Sequence, residues 1–108
     1  MQNRSIRAAV ILLAALAATQ FSFAQGSGAD TFKAKCTMCH GEDGLGNTSV
    51  GKAMGVVSYK APDVTKLTNA EMTTIIKNGK NKMPAFNGQL TDAQIKDVLV
   101  YIRTLQKK

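Results

Sequence analysis

The sequence contains few of the side chains from which metal and catalytic centres are usually built. Its 108 residues include one histidine, two cysteines and no tryptophan. A structural zinc site needs four protein ligands, and one histidine with two cysteines cannot complete a tetrahedral set of that kind. The sequence also shows no constellation of general acid, general base and nucleophile, so it does not favour an enzyme.

The chain has no hydrophobic run long enough to cross a membrane. Its apolar run from Ala8 to Ala18 has eleven residues, whereas a spanning helix needs roughly 20. Basic residues precede this run and Ser22-Phe23-Ala24 follows it, which is the arrangement of a secretory signal peptide. We predict that residues 1–24 are cleaved and that residues 25–108 form one domain. Gln25, and not a cysteine, stands directly after the cleavage point, so we expect an exported, soluble protein without a stable membrane anchor.

Acidic residues are scarce relative to basic ones. The whole chain has 14 Lys and Arg against 7 Asp and Glu. Removal of Arg4 and Arg7 with the leader leaves 12 basic residues and a formal charge of about +5. A basic surface favours acidic partners, whereas export and the lack of basic patches with interleaved aromatics argue against nucleic acid. We expect a monomer whose partners have acidic docking surfaces.

Helical periodicity is present in three segments, and the alternation typical of strands is present in none. The first segment extends from about Gly28 to Cys39. The second begins with a capping box formed by Thr68 and Glu71 and ends at Asn78-Gly79. The third begins with a similar box at Thr91-Asp92-Ala93-Gln94 and continues to the C-terminus. The pattern predicts an all-α fold.

A long segment separates the first two predicted helices. It extends over about 28 residues from Gly41 to Thr68, is rich in glycine and contains Pro62. Loops longer than roughly 15 residues without secondary structure are usually functional or disordered. We therefore expect this segment to pack against a large, flat cofactor.

The strongest motif in the sequence is Cys36-Thr37-Met38-Cys39-His40. Two residues between the cysteines, near the end of a helix, allow both thiols to add to adjacent vinyl groups of a haem. The next residue, His40, then lies beside the iron. A thioredoxin-like dithiol and a plain disulfide fit the same cysteine spacing, but the histidine and the absence of strands favour one covalent haem c.

His40 is the only histidine, so two histidine ligands from one chain are excluded. The sixth position on the iron is then a methionine, a weaker ligand or empty. Met83 follows the second helix and precedes Pro84, which restricts Met83 to an extended conformation. We predict Met83 as the ligand. Met54, in the glycine-rich segment, is the alternative, whereas Met72 falls on the apolar face of the second helix and is expected in the core.

These residues resemble the small monohaem class I cytochromes c of bacteria over positions 27–106. The resemblance rests on the haem motif and on the segments APDVT (61–65), KMPAF (82–86) and DVLVYI (97–102). It implies three main helices around the haem, with the N- and C-terminal helices crossed. The residues at the crossing would be Gly28, Phe32, Val98 and Tyr101. The resemblance further implies that a backbone carbonyl, here that of Pro62, accepts a hydrogen bond from the ligating imidazole.

Filled axial positions leave no opening for a substrate, so we expect outer-sphere transfer of single electrons through an exposed haem edge. Burial of the haem and a methionine ligand both raise the reduction potential. The apolar residues expected around the haem are Leu45, Val56, Val57, Val64, Leu67, Ile75, Leu90 and Leu99. The lysines expected near its edge are Lys33, Lys35, Lys77, Lys80 and Lys82.

The predicted function is a periplasmic electron carrier between respiratory or periplasmic redox complexes. Two alternatives remain open at this stage. One is a haem sensor or peroxidase-like protein with a weak or vacant sixth position on the iron. The other is a haem domain that works only inside a larger oxidase or dehydrogenase complex.

Overall fold

Helices form the regular structure of the chain, as the periodicity predicts. The structure, a computed structural model, describes residues 27–108, so the predicted leader at 1–24 lies outside the described residues. Within 27–108 there are two isolated β-bridges and no named strand. The all-α prediction is confirmed. The helices are α1 (Gly28–Lys35), α2 (Thr37–His40), α3 (Ser49–Met54), α4 (Pro62–Thr65), α5 (Asn69–Asn78) and α6 (Asp92–Gln106).

The first predicted helix is divided in two at Cys36. The backbone there has φ −119° and ψ −28°, which departs from α-helical values. Hydrogen bonding nevertheless continues across the division, because the Cys36 N–H donates to the Phe32 carbonyl (2.9 Å) and the His40 N–H donates to the Cys36 carbonyl (3.0 Å). As a result, the haem motif lies on a single turn, α2, directly after α1.

Both predicted capping boxes are present. At the start of α5, the Thr68 hydroxyl accepts a hydrogen bond from the Glu71 N–H (3.1 Å), and the Glu71 carboxylate accepts one from the Thr68 N–H (2.7 Å). Thr91 and Gln94 make the same pair of bonds at the start of α6, at 3.1 and 2.9 Å. These bonds satisfy backbone donors that the first turn of a helix leaves without a partner.

The core lies between α1, α5 and α6. Phe32 of α1 is 1% exposed, and its ring centroid lies 5.2 Å from that of Tyr101, with the planes inclined at 54°. Gly28 lies so close to α6 that a β-carbon there would overlap the carbonyl oxygen of Asp97. The buried apolar residues are Phe32, Tyr59, Met72, Ile76, Phe86, Leu90, Ile95, Val98, Leu99, Ile102 and Leu105.

The long glycine-rich segment contains two short helices, α3 and α4, that the sequence analysis did not predict. The Thr48 hydroxyl accepts a hydrogen bond from the Gly51 N–H (2.8 Å) and so caps α3. Pro62 occupies the first position of α4, where its missing N–H and fixed φ are tolerated. Helices of six and four residues are too short to show hydrophobic periodicity, which is why only their capping residues could have indicated them.

We expect Gly28→Ala to destabilise the protein, although alanine is the better helix former. The added β-carbon would force α1 away from the Asp97 carbonyl, and overpacking of this kind costs about 1–3 kcal/mol. The free energy of unfolding of the haem-loaded protein, measured in urea, checks this expectation. Ala34→Val is the matched control, since Ala34 is exposed on the same helix and the change should cost less than about 0.7 kcal/mol. Equal stability of the two variants would contradict the close approach.

Candidate haem site

The two cysteines lie on and just before the single turn of α2. Both are free thiols and half-buried. Burial raises the pKa of the Cys36 thiol to about 11, and the neighbouring Cys39 adds to the effect. In the structure the pair forms no disulfide, so both sulfurs are available for attachment to a group outside the polypeptide.

The carbonyl groups at the end of α2 are bound by the segment that follows. The Thr48 hydroxyl lies 2.6 Å from the Met38 carbonyl and 3.3 Å from the Cys39 carbonyl, to which it can donate. The Gly46 N–H donates to the His40 carbonyl (2.8 Å). Because the last carbonyls of a helix have no partner within it, these contacts fix the position of the turn that carries the haem motif.

Gly51 allows α3 to approach α2 closely. A β-carbon at Gly51 would overlap the Cys39 carbonyl oxygen and would lie 2.6 Å from the Gly46 carbonyl oxygen. The first turn of α3 therefore packs directly on the backbone of the haem motif. In this way the glycine-rich segment supports the motif through backbone contacts as well as through side chains.

The imidazole of His40 is held in a defined orientation. Its Nδ1 atom is buried and has no hydrogen-bond partner among the described residues. Nε2 is not enclosed in this way and forms no hydrogen bond within residues 27–108, so it is the ring nitrogen available to a ligand. Burial lowers the pKa of His40, which favours the neutral imidazole that binds metals.

The ring of Tyr59 stacks on the imidazole. The two ring centroids are 4.7 Å apart and their planes are inclined at 14°. Tyr59 is buried, and burial raises the pKa of its phenol well above the usual range, with a further contribution from Cys36. The sequence does not indicate a role for Tyr59, because an isolated aromatic residue in a glycine-rich segment has no periodic neighbours.

Pro62 does not bind His40 in this structure. The Pro62 carbonyl accepts hydrogen bonds from the Lys66 N–H (3.1 Å) and the Thr65 hydroxyl (3.2 Å), both within the turn of α4. At the first position of a helix, a carbonyl is directed into the helical hydrogen-bonding pattern. Pro62 is thus the first residue of α4. The bond from His40 to its carbonyl stays a prediction, because a carbonyl oxygen that accepts bonds within a helix can also accept from a second donor.

Met83 lies in a tight turn after α5. Lys80 and Met83 exchange both backbone hydrogen bonds, at 3.1 and 2.9 Å. Asn81, between them, has a positive φ of 54°, a conformation that asparagine tolerates better than most residues. The side chain of Met83 is half-buried and packs against the hydrophobic core.

The turn that carries Met83 is fixed to the end of α5. The Gly79 N–H donates to the Ile75 carbonyl (2.8 Å), the Phe86 N–H to the Ile76 carbonyl (3.0 Å) and the Asn87 N–H to the Lys77 carbonyl (3.0 Å). These bonds satisfy the final carbonyls of the helix. The segment from Gly79 to Asn87 is thus held at both of its ends.

The other methionines and the predicted haem-lining residues occupy varied positions. Met72 is 5% exposed within the core, as expected, whereas Met54 at the end of α3 is 48% exposed. Leu90 and Leu99 are part of the buried core, and Val57 is 56% exposed. The remaining residues of that predicted set are half-buried: Leu45, Val56, Val64, Leu67 and Ile75.

The described residues fit a haem bound on the side of α2. Two free thiols lie on one turn, a neutral imidazole beside them has an available Nε2 atom, and Met83 offers a soft thioether on a fixed turn. Two thiols for covalent attachment and an imidazole for the iron are the groups that a c-type haem requires, and a thioether is one of the sixth ligands found in such proteins.

Comparison with known proteins identifies the family of the chain. The family model described as "Cytochrome C oxidase, cbb3-type, subunit III" matches residues 24–102. Cytochrome c6 of Synechococcus sp. is 33% identical over 94 residues, which cover 86% of this chain and 80% of that protein. The chain belongs to the class I c-type cytochromes. Its cofactor is therefore one covalently bound c-type haem, and its role is electron transfer, not catalysis.

Two further similarities place this cytochrome among its relatives. The cbb3-type cytochrome c oxidase subunit FixP of Azorhizobium caulinodans is 37% identical over 82 residues, which are 72% of this chain but 26% of FixP. The solved structure of the KustC0563 c-type cytochrome superposes with a TM-score of 0.69 at 23% identity. That superposition covers 75% of this chain and 99% of the other, and it confirms the fold.

Proposed function

We propose that this cytochrome is an exported, soluble carrier of single electrons, with its haem attached through Cys36 and Cys39 and ligated by His40 and Met83. The observation that carries the proposal is the geometry of His40. Its Nδ1 atom is enclosed and its Nε2 atom is available, beside two free thiols on the same turn. The haem supplies a reversible change of one electron at its iron.

The proposed role of Met83 follows from its chemistry and from the turn that holds it. A thioether is a soft ligand, and methionine with histidine raises the reduction potential of a haem. Of the other methionines in the described residues, Met38 lies between the two cysteines, Met72 is enclosed in the core and Met54 is 48% exposed at a helix end. The carbonyl of Pro62 stays in the proposed set as the acceptor for the Nδ1–H of His40, because that nitrogen is buried without a partner among the described residues.

The proposed docking surface consists of exposed lysines on two neighbouring segments. Lys33 and Lys35 end α1, directly before the haem motif, and Lys80 and Lys82 flank the turn of Met83. Lys77 was predicted to belong to this set, but its ammonium lies 2.9 Å from the Asp92 carboxylate. Lys77 is therefore partly neutralised, and the other four lysines carry the proposed attraction for acidic partners.

A second candidate is a haem domain that works within a larger oxidase. The similarity to FixP favours it, because that subunit contains a segment related to this chain within a much longer protein. Within residues 27–108, no helix combines the length and hydrophobicity of a membrane-spanning helix. Size-exclusion chromatography of the native haem-containing fraction distinguishes the two, since a carrier elutes as a small protein and a subunit elutes with its complex.

We expect the mature protein to have the mass of residues 25–108 plus one haem, when it is produced with its leader and the haem-attachment machinery. The thioether bonds should survive denaturation, so the haem remains with the polypeptide in mass spectrometry and gives a c-type pyridine haemochrome spectrum. Cys36→Ala with Cys39→Ala should lose the covalent haem. A colourless wild-type protein at the mass of the bare polypeptide would contradict the proposal.

We expect Met83→Ala to lose the weak far-red absorption band of thioether-bound ferric haem and to lower the reduction potential. Its ferrous form should bind carbon monoxide, because the substitution vacates the sixth position on the iron. Met54→Ala is the matched control and should retain both the band and the wild-type potential. Carbon monoxide binding by the wild-type ferrous protein would instead favour the sensor alternative.

We expect the lysines near the haem to select anionic redox partners. Lys80→Glu with Lys82→Glu should slow oxidation by hexacyanoferrate(III) about tenfold at low ionic strength, because charge steering raises association rates. The effect should shrink as salt shortens the Debye length to about 10 Å at 0.1 M. Lys96→Glu on α6 with Lys107→Glu just after that helix changes the net charge equally and should have a smaller effect. Stopped-flow kinetics that show equal rates for both pairs would rule out a localised docking surface.

A further inference from the structure

The contact between Tyr59 and His40 differs from an ordinary packing contact in its geometry. The other aromatic contacts of Tyr59 and of Phe32 are tilted by 54–55°. The Tyr59 and His40 rings are inclined at only 14°, with centroids 4.7 Å apart. A nearly parallel ring covers one whole face of the imidazole, and it therefore restricts rotation of the imidazole about the axis through its ligating nitrogen.

Tyr59 is itself fixed by backbone hydrogen bonds on two sides. Its N–H donates to the Gly44 carbonyl (2.9 Å), in the segment just after the haem motif. Its carbonyl accepts a hydrogen bond from the Gln106 side chain (3.0 Å), near the end of α6. Its ring also meets that of Phe32, at 6.2 Å between centroids.

The bond from Gln106 belongs to a network centred on Arg103. The guanidinium of Arg103 donates to the Gln106 side-chain oxygen (2.9 Å), to the Leu67 carbonyl (2.6 Å) and to the Asn69 side-chain oxygen (3.0 Å). The end of α6 thereby holds the segment from Tyr59 to Leu67 at both of its ends. Contacts from α6 therefore help to fix the orientation of Tyr59, in addition to its bond to Gly44 after the haem motif.

We propose that Tyr59 is the positioning residue for His40: its stacked ring sets the plane of the imidazole and excludes water from that face of the haem ligand. The proposal rests on the proposed function, in which His40 binds the iron. It assigns to Tyr59 a role in the electronic properties of the haem, beyond its part in the core.

Two measurable properties follow from this role. The orientation of an axial imidazole determines how unpaired spin is distributed over a ferric haem, and this distribution appears in the paramagnetically shifted haem methyl resonances. Water that reaches the imidazole stabilises the extra charge of the ferric state, because that charge is costly in a medium of low dielectric constant. Loss of the Tyr59 ring should therefore change the methyl pattern and lower the reduction potential.

The experiment compares Tyr59→Leu, Tyr59→Phe and Tyr101→Leu in the haem-loaded protein by redox titration and by NMR of the ferric form. Tyr59→Leu should redistribute the haem methyl shifts and reduce the ratio of ferrous to ferric protein by about threefold to tenfold at a fixed ambient potential. A tenfold change in a one-electron couple corresponds to about 59 mV. Tyr59→Phe keeps the ring and should preserve the wild-type pattern and potential.

Tyr101→Leu is the matched control for lost packing. Tyr101 also meets Phe32, at 5.2 Å between centroids, but the structure shows no stacking of its ring on His40. It should lose stability in urea while keeping the wild-type methyl pattern and potential. If Tyr59→Leu does not fold, Gln106→Ala tests the same role, since loss of the bond to the Tyr59 carbonyl should change the methyl pattern in the same direction.

Either of two results would overturn the inference. In the first, Tyr59→Leu has the same methyl pattern and the same potential as the control Tyr101→Leu; the same holds for Gln106→Ala if that variant is used instead. The other is a Tyr59→Phe protein that shifts as far as Tyr59→Leu, which would assign the effect to the hydroxyl and not to the ring. Failure of the proposed function is seen separately, in the wild-type protein, as a ferric spectrum without histidine ligation.

Discussion

The close contact between α1 and α6 is the constraint on which the site depends. Gly28 permits the two backbones to meet, and the buried ring of Phe32 fills the contact. Since α2 follows α1 after a single residue, the position of α1 also determines where both cysteines and His40 lie. The packing of α1 against α6 therefore sets the position of the haem motif. The turn that follows α1 contributes nothing to the core itself, since none of Thr37 to His40 is buried.

Hydrogen bonds to main-chain carbonyls hold the segments around that motif in place. The carbonyls at the end of α2 are bound by Thr48 and Gly46, and those at the end of α5 by Gly79, Phe86 and Asn87. Such bonds persist whatever the charge on a nearby metal, because they involve no titratable group. With the ligands we propose, a site held in this way would need little rearrangement when an electron arrives or leaves.

The sequence predicts the parts of the molecule that local rules determine. The capping boxes of α5 and α6 depend on residues three positions apart, and the buried face of α6 follows from helical spacing, so both are confirmed. Features of this kind depend on a few neighbouring residues, so they can be predicted from the sequence.

The remaining features depend on contacts between residues distant in sequence. Tyr59 meets His40 and Gln106 across 19 and 47 positions, and the pairing of Lys77 with Asp92 joins two helices. No spacing rule links such residues. The bond proposed between His40 and the Pro62 carbonyl would likewise join distant positions, and only the family resemblance suggests it.

The anchorage of the Met83 turn has a consequence for motion. Three carbonyls of α5 obtain their partners from backbone groups of the segment between Gly79 and Asn87. Withdrawal of this segment would leave those carbonyls unpaired, so opening of the turn is coupled to fraying of the last turn of the helix. A fluctuation that moves the Met83 turn away from α5 therefore also breaks these hydrogen bonds at the helix end.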